Sequence, residues 1–350
     1  MISVSGLSRT NRTKTRTDSR LDQKGSKLRK SSSNELLRRP VHDYDPLDYS
    51  KIPTHLLIKK MSNSGGFEAV NLAKGVEILK TMHSDGHCIK FLSFVGSIIS
   101  TGTRGIIREL IKERAFDCVV TTCGALDHDI ARTSASYYAG DFRLNDSSLL
   151  RAGIHRLGNV LIPFANYGTV IENKVRACLE DLYFDHSKKF IGPSEILDFI
   201  GSKLDESSFL YWASRNHIPV IVPGIVDGAV GNQLWLFHQE HRDFGLDLLR
   251  DQTAISDIVY DAKRTGAFMI GGGISKHHTL WWNQFRGGLD YAVYLTTSPE
   301  WDGSLSGALV EEAVSWGKIT SRASRVTIHG EATTLLPLIY AALHGRNDCE

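Results

Sequence analysis

Short apolar runs alternate with helix-like periods along most of the chain, and this pattern constrains the fold more than any other feature. Apolar residues recur at helical spacing over residues 66–79. The apolar run 89–94 follows, and then a predicted helix over about 104–115. The unit repeats at 118–124, where a predicted strand ends in a turn of small residues. Continuous apolar strands that alternate with helices are typical of a parallel sheet buried on both faces.

Five further strands are predicted, at 160–162, 218–222, 267–270, 291–295 and 325–328. Helices are expected between them, including a long one at about 243–263. The expected fold class is therefore α/β, a doubly wound and mostly parallel sheet with helices on both faces, formed as a single large domain. The chain has 350 residues, 41% of them hydrophobic, and this is enough to bury such a core.

Several of the predicted strands end in small residues, namely Gly96, 122–124, Gly224, 271–273 and the pair Thr296 and Thr297. In doubly wound folds, ligands bind outside the carboxyl ends of the strands. Small residues at these ends let the backbone approach a pyrophosphate closely. None of the turns has the spacing G-x-G-x-x-G, so the architecture suggests a dinucleotide without demonstrating one.

The composition indicates a protein of a reducing compartment. No apolar run approaches the roughly 18 residues that span a membrane, and the chain begins without the apolar segment of a secretory signal. We therefore expect no contact with a membrane. The five cysteines form no C-x-x-C pair, which argues against a zinc site and a disulfide framework; they are Cys88, Cys118, Cys123, Cys178 and Cys349. A cytoplasmic location fits best.

The first 40 residues are strongly basic, with 11 Lys and Arg against 3 Asp and Glu, whereas the remaining 310 carry 30 against 36. Residues 8–33 hold few large apolar side chains, so they cannot offset the entropy cost of ordering. We expect residues 1–45 to form a disordered, solvated extension and residues 46–345 to form the folded domain. Binding of nucleic acid or another acidic surface is the less favoured interpretation, and a transit peptide is a third.

Lys318 follows Trp316 and Gly317, and this arrangement suggests a reactive lysine. A flat ring and a residue without a side chain can hold an amine in a dry slot, where burial lowers a lysine pKa by up to about 3–5 units. A neutral amine can form imines. If residues 309–316 are helical, Glu312 lies one turn from Trp316, and the two would suit a cationic ligand. The alternative is that the tryptophan belongs to the core and the lysine is a solvated helix cap.

Metal ligands are the weaker interpretation of three histidine-containing segments. The segments are 127–129, 85–87 and the pair His277 and His278. Nothing near them in the sequence completes a coordination shell, so no metal site is predicted.

Seven blocks with specific order and spacing make the chain similar to the deoxyhypusine synthases over residues 66–342. The blocks are 66–69, 216–220, 227–228, 271–278, 288–294, 302–308 and 312–318. The resemblance implies a Rossmann-like, NAD-dependent enzyme that moves the aminobutyl group of spermidine to one lysine of the translation factor 5A precursor. It also implies a homotetramer with active sites across a subunit interface and an N-terminal element near the site entrance. Whether Leu36, Leu37 and 44–61 supply that element is left open.

The resemblance also assigns individual residues. Lys318 aligns with the lysine that carries the aminobutyl group as an imine, and His277 with the partner that transfers a proton at the oxidised carbon. The implied polyamine-facing residues are Glu312, Trp316, Asp127, His128 and Asn232. The implied NAD-binding residues are Gly96, Ser97, Ser100, Thr122, Cys123, Gly124, Asp227, Gly271, Thr297, Asp302, Ser304, Ser306, Glu331 and Ala332.

The chain departs from the family pattern at three positions around the polyamine. Acidic residues of better-known members align here with His128, Asn232 and Leu305. Burial of a polycation calls for carboxylates, and Asp127 or Asp129 could turn inward to supply some of this charge. Two other functions therefore remain open: transfer of the aminobutyl group to a free diamine, and a catalytically weak NAD-binding regulatory subunit.

Overall fold

The computed structural model describes residues 52–185 and 190–345, and the predicted basic extension 1–45 lies outside the described residues. The strands are β1 Cys88–Phe94, β2 Cys118–Val120, β3 Tyr138–Ala139, β4 Ile154–Leu157, β5 Val160–Pro163, β6 Phe190–Ile191, β7 Val220–Ile221, β8 Gly245–Leu246, β9 Arg264–Ile270, β10 Leu289–Thr296 and β11 Ile319–His329. Six of them form a central sheet in the order β11-β10-β9-β1-β2-β7. All of its pairings are parallel, which confirms the predicted fold class.

The helices connect these strands on both faces of the sheet. They are α1 Thr54–Met61, α2 Phe67–Ser84, α3 Thr103–Lys112, α4 Cys123–Ala131, α5 Asp146–Arg151, α6 Gly168–Asp185, α7 Pro193–Ser202, α8 Phe209–Asn216, α9 Ala229–Glu240, α10 Leu248–Asp261, α11 Ile274–Asn283, α12 Glu312–Ser315 and α13 Ala332–His344. The helix expected at 243–263 is α10, shortened because 245–246 pair as strand β8. Asp247 caps α10 by accepting a hydrogen bond from the Leu249 amide at 3.2 Å. Among the described residues, no helix combines the length and apolar character that a membrane crossing requires.

The predicted strand at 160–162 is real but lies outside the central sheet, which corrects the sequence-based expectation. It is part of β5, the middle strand of an antiparallel sheet in the order β3-β5-β4. Leu157 pairs with Val160 across a two-residue turn that begins at Gly158, whose φ is +61°. A glycine with positive φ favours a tight hairpin turn, and this turn returns the chain antiparallel. Val160 and Leu161 are only half-buried, in contrast to the strands of the central sheet.

The inner strands of the central sheet are buried on both faces, as their apolar runs predicted, whereas the first half of the edge strand β11 is largely exposed. On β1, Phe91 packs into the core on one face, and the next residue, Leu92, packs into the core on the other. Both side chains are fully buried. Successive side chains of a strand point to opposite faces, so a continuous apolar run serves two cores. The chain moves from β1 to β2 and β7 on one side, then returns to place β9 on the other side of β1.

A buried ion pair fixes the helices that follow β1 and β2. The Asp129 carboxylate on α4 accepts a hydrogen bond from Arg104 Nε at 2.7 Å, and both residues are buried. It also accepts from Ser208 Oγ at 2.6 Å and from the Leu210 amide at 3.1 Å, at the start of α8. A buried carboxylate with this many donors joins three helices and offsets the positive end of α8.

Removal of this charge should strongly destabilise the fold. We expect Asp129→Asn to lower the free energy of unfolding by about 3–5 kcal/mol, because Arg104 would remain buried without its counter-charge. Urea unfolding followed by circular dichroism measures the change. The matched control is Asp146→Asn, which removes a largely exposed partner of Arg156 and should have a much smaller effect. Equal losses in the two variants would contradict the role given to Asp129.

Candidate active site

Two tightly packed glycines mark the carboxyl ends of β1 and β9, which is the position of the ligand crevice in doubly wound folds. Gly271 follows β9 with a φ of +76°, and a Cβ atom there would lie 2.9 Å from a methyl carbon of Val95. Gly96 follows β1, and a Cβ atom there would lie 2.7 Å from the Ala125 amide nitrogen. Only glycine fits contacts this close. The order in which strands are added to the sheet reverses between β1 and β9, and doubly wound folds bind their ligands at such a reversal.

Three of the predicted cofactor residues share a cleft beside this crevice. Ser97 and Ser100 lie in the 3-10 turn Gly96–Ser100, and Glu331 lies at the end of β11. The cleft has a volume of about 860 Å³, and its lining also includes Tyr138 and Phe142 near β3. Ser100 Oγ donates to the Ser97 carbonyl at 2.7 Å, so the turn is held by its own side chain. The lining of the cleft thus combines polar and aromatic side chains.

The loop that precedes α4 meets the loop that carries Asp227. Thr122 and Gly124 are half-buried, whereas Cys123 is buried, and burial raises the pKa of its thiol to about 12. Cys123 is therefore a neutral packing residue at ordinary pH. A Cβ atom on Gly228 would lie 2.7 Å from Cys123 Sγ, so the two loops are in contact. The neighbouring Asp227 is exposed.

The loop 302–308 packs against the ends of β9 and β10. Tyr294 Oη and Thr296 Oγ1 both donate to the Ser306 carbonyl, at 2.6 and 3.0 Å. A Cβ atom on Gly272 would lie 2.3 Å from Ser306 Oγ, so this loop closes on the glycine turn. The Asp302 carboxylate accepts from the Ser304 amide at 2.7 Å. Ser306 thus lies beside the crevice, and Thr297, Asp302 and Ser304 are exposed.

Glu331 has a structural partner as well as a place in the cleft. Its carboxylate caps α13 by accepting from the amides of Thr333 and Thr334 at 2.9 and 3.0 Å. Ala332, the first residue of α13, is half-buried. The adjacent strand end is held by Glu68, whose carboxylate accepts from the His329 amide at 2.8 Å. This bond connects the start of α2 to the same edge of the sheet.

Lys318 and Trp316 are neighbours in space, as predicted, but the slot between them is open. Helix α12 ends at Ser315, so Trp316 follows it instead of completing a longer helix over 309–316. Gly317 has a φ of +67°, and the turn places Lys318 Nζ 5.3 Å from the centroid of the Trp316 ring. Trp316 is 66% exposed, Glu312 is also exposed, and Lys318 is half-buried. A single chain therefore does not provide the dry site that we expected.

His277 lies within electrostatic range of Lys318. It lies in the first turn of α11, where its ring stacks on that of Trp281 at 5.9 Å with an interplanar angle of 22°. Burial and the positive charge of Lys318 both lower the pKa of His277 below its ordinary value. The structure thus brings together two residues that are 41 positions apart in the sequence.

The buried lysine of this region is Lys276, which the sequence-based analysis did not single out. Its exposure is 1%, and its Nζ donates to the carbonyls of Leu305 and Ala308 at 2.9 and 2.5 Å. The ammonium also lies 3.6 Å from the centroid of the Tyr294 ring. Burial lowers its pKa to about 8, and the negative charge of Glu312 acts in the opposite direction. Its only signal in the sequence was its place before His277 in the block 271–278.

Asp127 and Asp129 do not turn inward to supply charge, contrary to the possibility raised from the sequence. Both Asp127 oxygens are used at the start of α9, where they accept from the amides of Ala229 and Val230 at 2.9 and 2.8 Å. Tyr167 Oη also donates to this carboxylate at 2.9 Å. Burial raises the pKa of Asp127, while these hydrogen bonds oppose the shift. Asp129 holds Arg104 in the same way. Both side chains are thus committed to the scaffold.

The three positions at which the resemblance implied acidic residues differ in their surroundings. His128 is buried and its Nδ1 lies 3.0 Å from Tyr137 Oη; burial, and secondarily the charge of Arg132, lowers its pKa to about 4. It is therefore neutral near pH 7. Asn232 is exposed on α9, and Leu305 is half-buried, with its carbonyl bound to Lys276. Within 52–185 and 190–345, no group of three His, Cys, Asp or Glu side chains is placed to hold a metal ion.

Comparison with known proteins places the chain in a family. The family model described as deoxyhypusine synthase matches residues 56–343. A relative from Picrophilus torridus, named "Probable deoxyhypusine synthase", is 52% identical over 309 residues, which cover 88% of this chain and 98% of the relative. A relative of the same name from Thermoplasma acidophilum is 50% identical over 308 residues, with the same two coverages.

A solved structure assigned to a deoxyhypusine synthase of Entamoeba histolytica shares the fold. Its TM-score is 0.59 at 19% identity, over 86% of this chain and 96% of that one. The fold agrees with the family that the sequence relatives indicate, and the family model spans most of the chain. The chain therefore belongs to the deoxyhypusine synthase family.

Proposed function

We propose that this protein transfers the 4-aminobutyl group of spermidine, in an NAD-dependent reaction, to one lysine of the translation factor 5A precursor. The observation that carries this proposal is the cluster formed by Lys318, Trp316 and His277. An amine beside an indole and an imidazole suits covalent chemistry on a cationic substrate. The names of the close relatives support the same reaction. No feature of the described residues favours a free diamine or a regulatory role instead.

The carboxyl ends of β1 and β9 are the proposed place of the cofactor. Gly96 and Gly271 pack tightly against neighbouring loops there, and the strand order reverses between the two strands, which is where doubly wound folds bind a pyrophosphate. We propose that Ser97, Ser100 and Glu331 line the cofactor site on one side, with the acidic residue directed at a ribose hydroxyl. The other proposed contacts are Thr122, Cys123, Gly124, Asp227, Thr297, Asp302, Ser304, Ser306 and Ala332. Bound NAD would accept a hydride from spermidine and later return it to the product.

Lys318 is the proposed covalent carrier. Its neutral amine attacks the carbon of the oxidised substrate, a new C–N bond forms, and propane-1,3-diamine leaves. The acceptor lysine then displaces Lys318 from the same carbon, which frees the enzyme. His277, held neutral by burial and by Lys318, can accept the proton that an ammonium group must lose before the carbon is oxidised. Glu312 is the proposed carboxylate for another amine of the substrate.

The open face of Lys318 supports the proposal of a homotetramer with active sites across an interface. Trp316, Glu312 and Trp301 are exposed in the single chain, Trp301 to 81%. A lysine nucleophile needs desolvation, which a second copy that covers this face would supply. A reducing cytoplasm is the proposed location, since Cys88, Cys118, Cys123 and Cys178 are free and buried.

The acceptor can be identified by a competition for label. The purified full chain is incubated with NAD and butyl-labelled spermidine, and is offered the translation factor 5A precursor and putrescine together. We expect the label on one lysine of the precursor, found by mass spectrometry of its peptides. Label on putrescine would move the function to polyamine synthesis, and label on neither acceptor would contradict the proposed reaction.

Lys318→Arg should abolish transfer of the label. Arginine remains protonated and cannot form the imine, whereas the crevice that is proposed to hold NAD is unchanged. Activity is measured by label transfer, and NAD binding by calorimetry. The matched control is Lys263→Arg, at an exposed lysine next to β9, which should retain full activity. Transfer at the wild-type rate by Lys318→Arg would eliminate Lys318 as the carrier.

The titration of His277 provides a second test of the cluster. We expect its midpoint below the ordinary value of about 6.5, because burial and Lys318 both disfavour the protonated ring. Lys318→Met removes the charge, so the midpoint should move upward. NMR of the imidazole resonances measures it, with Lys263→Met as the control. A midpoint that does not move in Lys318→Met would show that the two groups are not electrostatically coupled.

A further inference from the structure

The site has few carboxylates for a polycationic substrate. Of the side chains expected around the polyamine, Glu312 is the exposed carboxylate, because the Asp127 oxygens already cap α9. Glu312 also interacts electrostatically with the buried ammonium of Lys276, so its negative charge is not available to the substrate alone. His128 is neutral near pH 7, and Asn232 carries no charge. A second means of holding ammonium groups is therefore needed in this chain.

Trp281 is placed to bind an ammonium group of the substrate. Its ring stacks on His277, one helical turn earlier on α11, and 43% of the residue remains exposed. The Phe285 ring meets it at 88° with centroids 5.6 Å apart, which fixes its orientation. The neighbouring Trp282 differs, because its Nε1 donates to Gln252 Oε1 at 3.1 Å and its ring packs against the core. Trp281 is the tryptophan of this pair that faces outward.

Each of the two exposed tryptophans contacts one of the two proposed catalytic groups. Trp316 contacts Lys318, Lys318 acts electrostatically on His277, and His277 stacks on Trp281. An aromatic ring already contacts an ammonium group in this region, since Lys276 Nζ lies 3.6 Å from the centroid of the Tyr294 ring. An indole is the strongest of the aromatic cation acceptors, and its attraction needs no carboxylate.

We propose that Trp281 is a further substrate-binding residue, whose indole forms with Trp316 an aromatic wall that holds an ammonium group of the polyamine in place of the absent carboxylates. This inference rests on the proposed function, and it specifies how the ammonium groups of the substrate are bound. The ligand class is a linear polyamine with separated ammonium groups. Aromatic recognition offsets the loss of acidic side chains at His128, Asn232 and Leu305.

Equilibrium binding tests the wall without relying on turnover. Spermidine is titrated by calorimetry into the full chain saturated with NADH, which cannot accept a hydride. Trp281→Ala removes the ring, whereas Trp281→Leu keeps an apolar side chain without π electrons, and Trp281→Phe keeps a smaller ring. We expect the dissociation constant to rise about 3- to 30-fold in the Ala and Leu variants and less in Phe.

A matched control and two opposing outcomes make the test decisive. Trp212→Leu removes a tryptophan on α8 whose ring faces the Lys112 ammonium at 4.8 Å, and it should leave spermidine binding unchanged. Thermal unfolding of each variant checks that the fold is intact. Wild-type affinity in both Trp281→Ala and Trp281→Leu would overturn the role of Trp281 and leave the proposed function standing. Failure of the wild-type protein to bind spermidine would remove both proposals.

Discussion

The buried ammonium of Lys276 is the interaction on which the geometry of the site depends. Burial of a charge is costly unless the charge is paired and hydrogen-bonded, and here two carbonyls and the Tyr294 ring surround it. The carbonyls belong to Leu305 and Ala308, so one side chain of α11 holds the loop 302–308. That loop carries proposed cofactor residues and leads into α12 and Lys318. A single cation therefore joins the two halves of the site.

The parallel sheet explains why these parts meet. All six strands run in one direction, so their carboxyl ends and the loops that follow them share one edge. Gly96, Gly271 and Ser306 follow the adjacent strands β1, β9 and β10, and each of them packs closely against a neighbouring loop. Lys318 instead precedes β11, at the amino end of that strand, where it is half-buried and the neighbouring Trp316 is exposed. The site is thus preorganised on the cofactor side and exposed on the amine side.

Most of the central sheet could be predicted, because strands buried on both faces leave continuous apolar runs. The antiparallel strand β5 was misplaced because a short apolar run does not reveal which sheet it joins. Asp127 was misread for a related reason: a carboxylate beside a histidine looks the same in sequence whether it faces a substrate or caps a helix. Its partners, the amides of Ala229 and Val230, lie about 100 positions away. Only the fold brings them together.

The sequence by itself determined the fold class, the family and the adjacency of Trp316, Gly317 and Lys318. These depend on periodicity and on local spacing, which the chain records directly. The tertiary structure decided which lysine is buried, that His277 senses Lys318, and that Trp281 stands beside them. Burial and electrostatic coupling depend on distances between residues far apart in the chain, and those distances exist only after the strands have assembled.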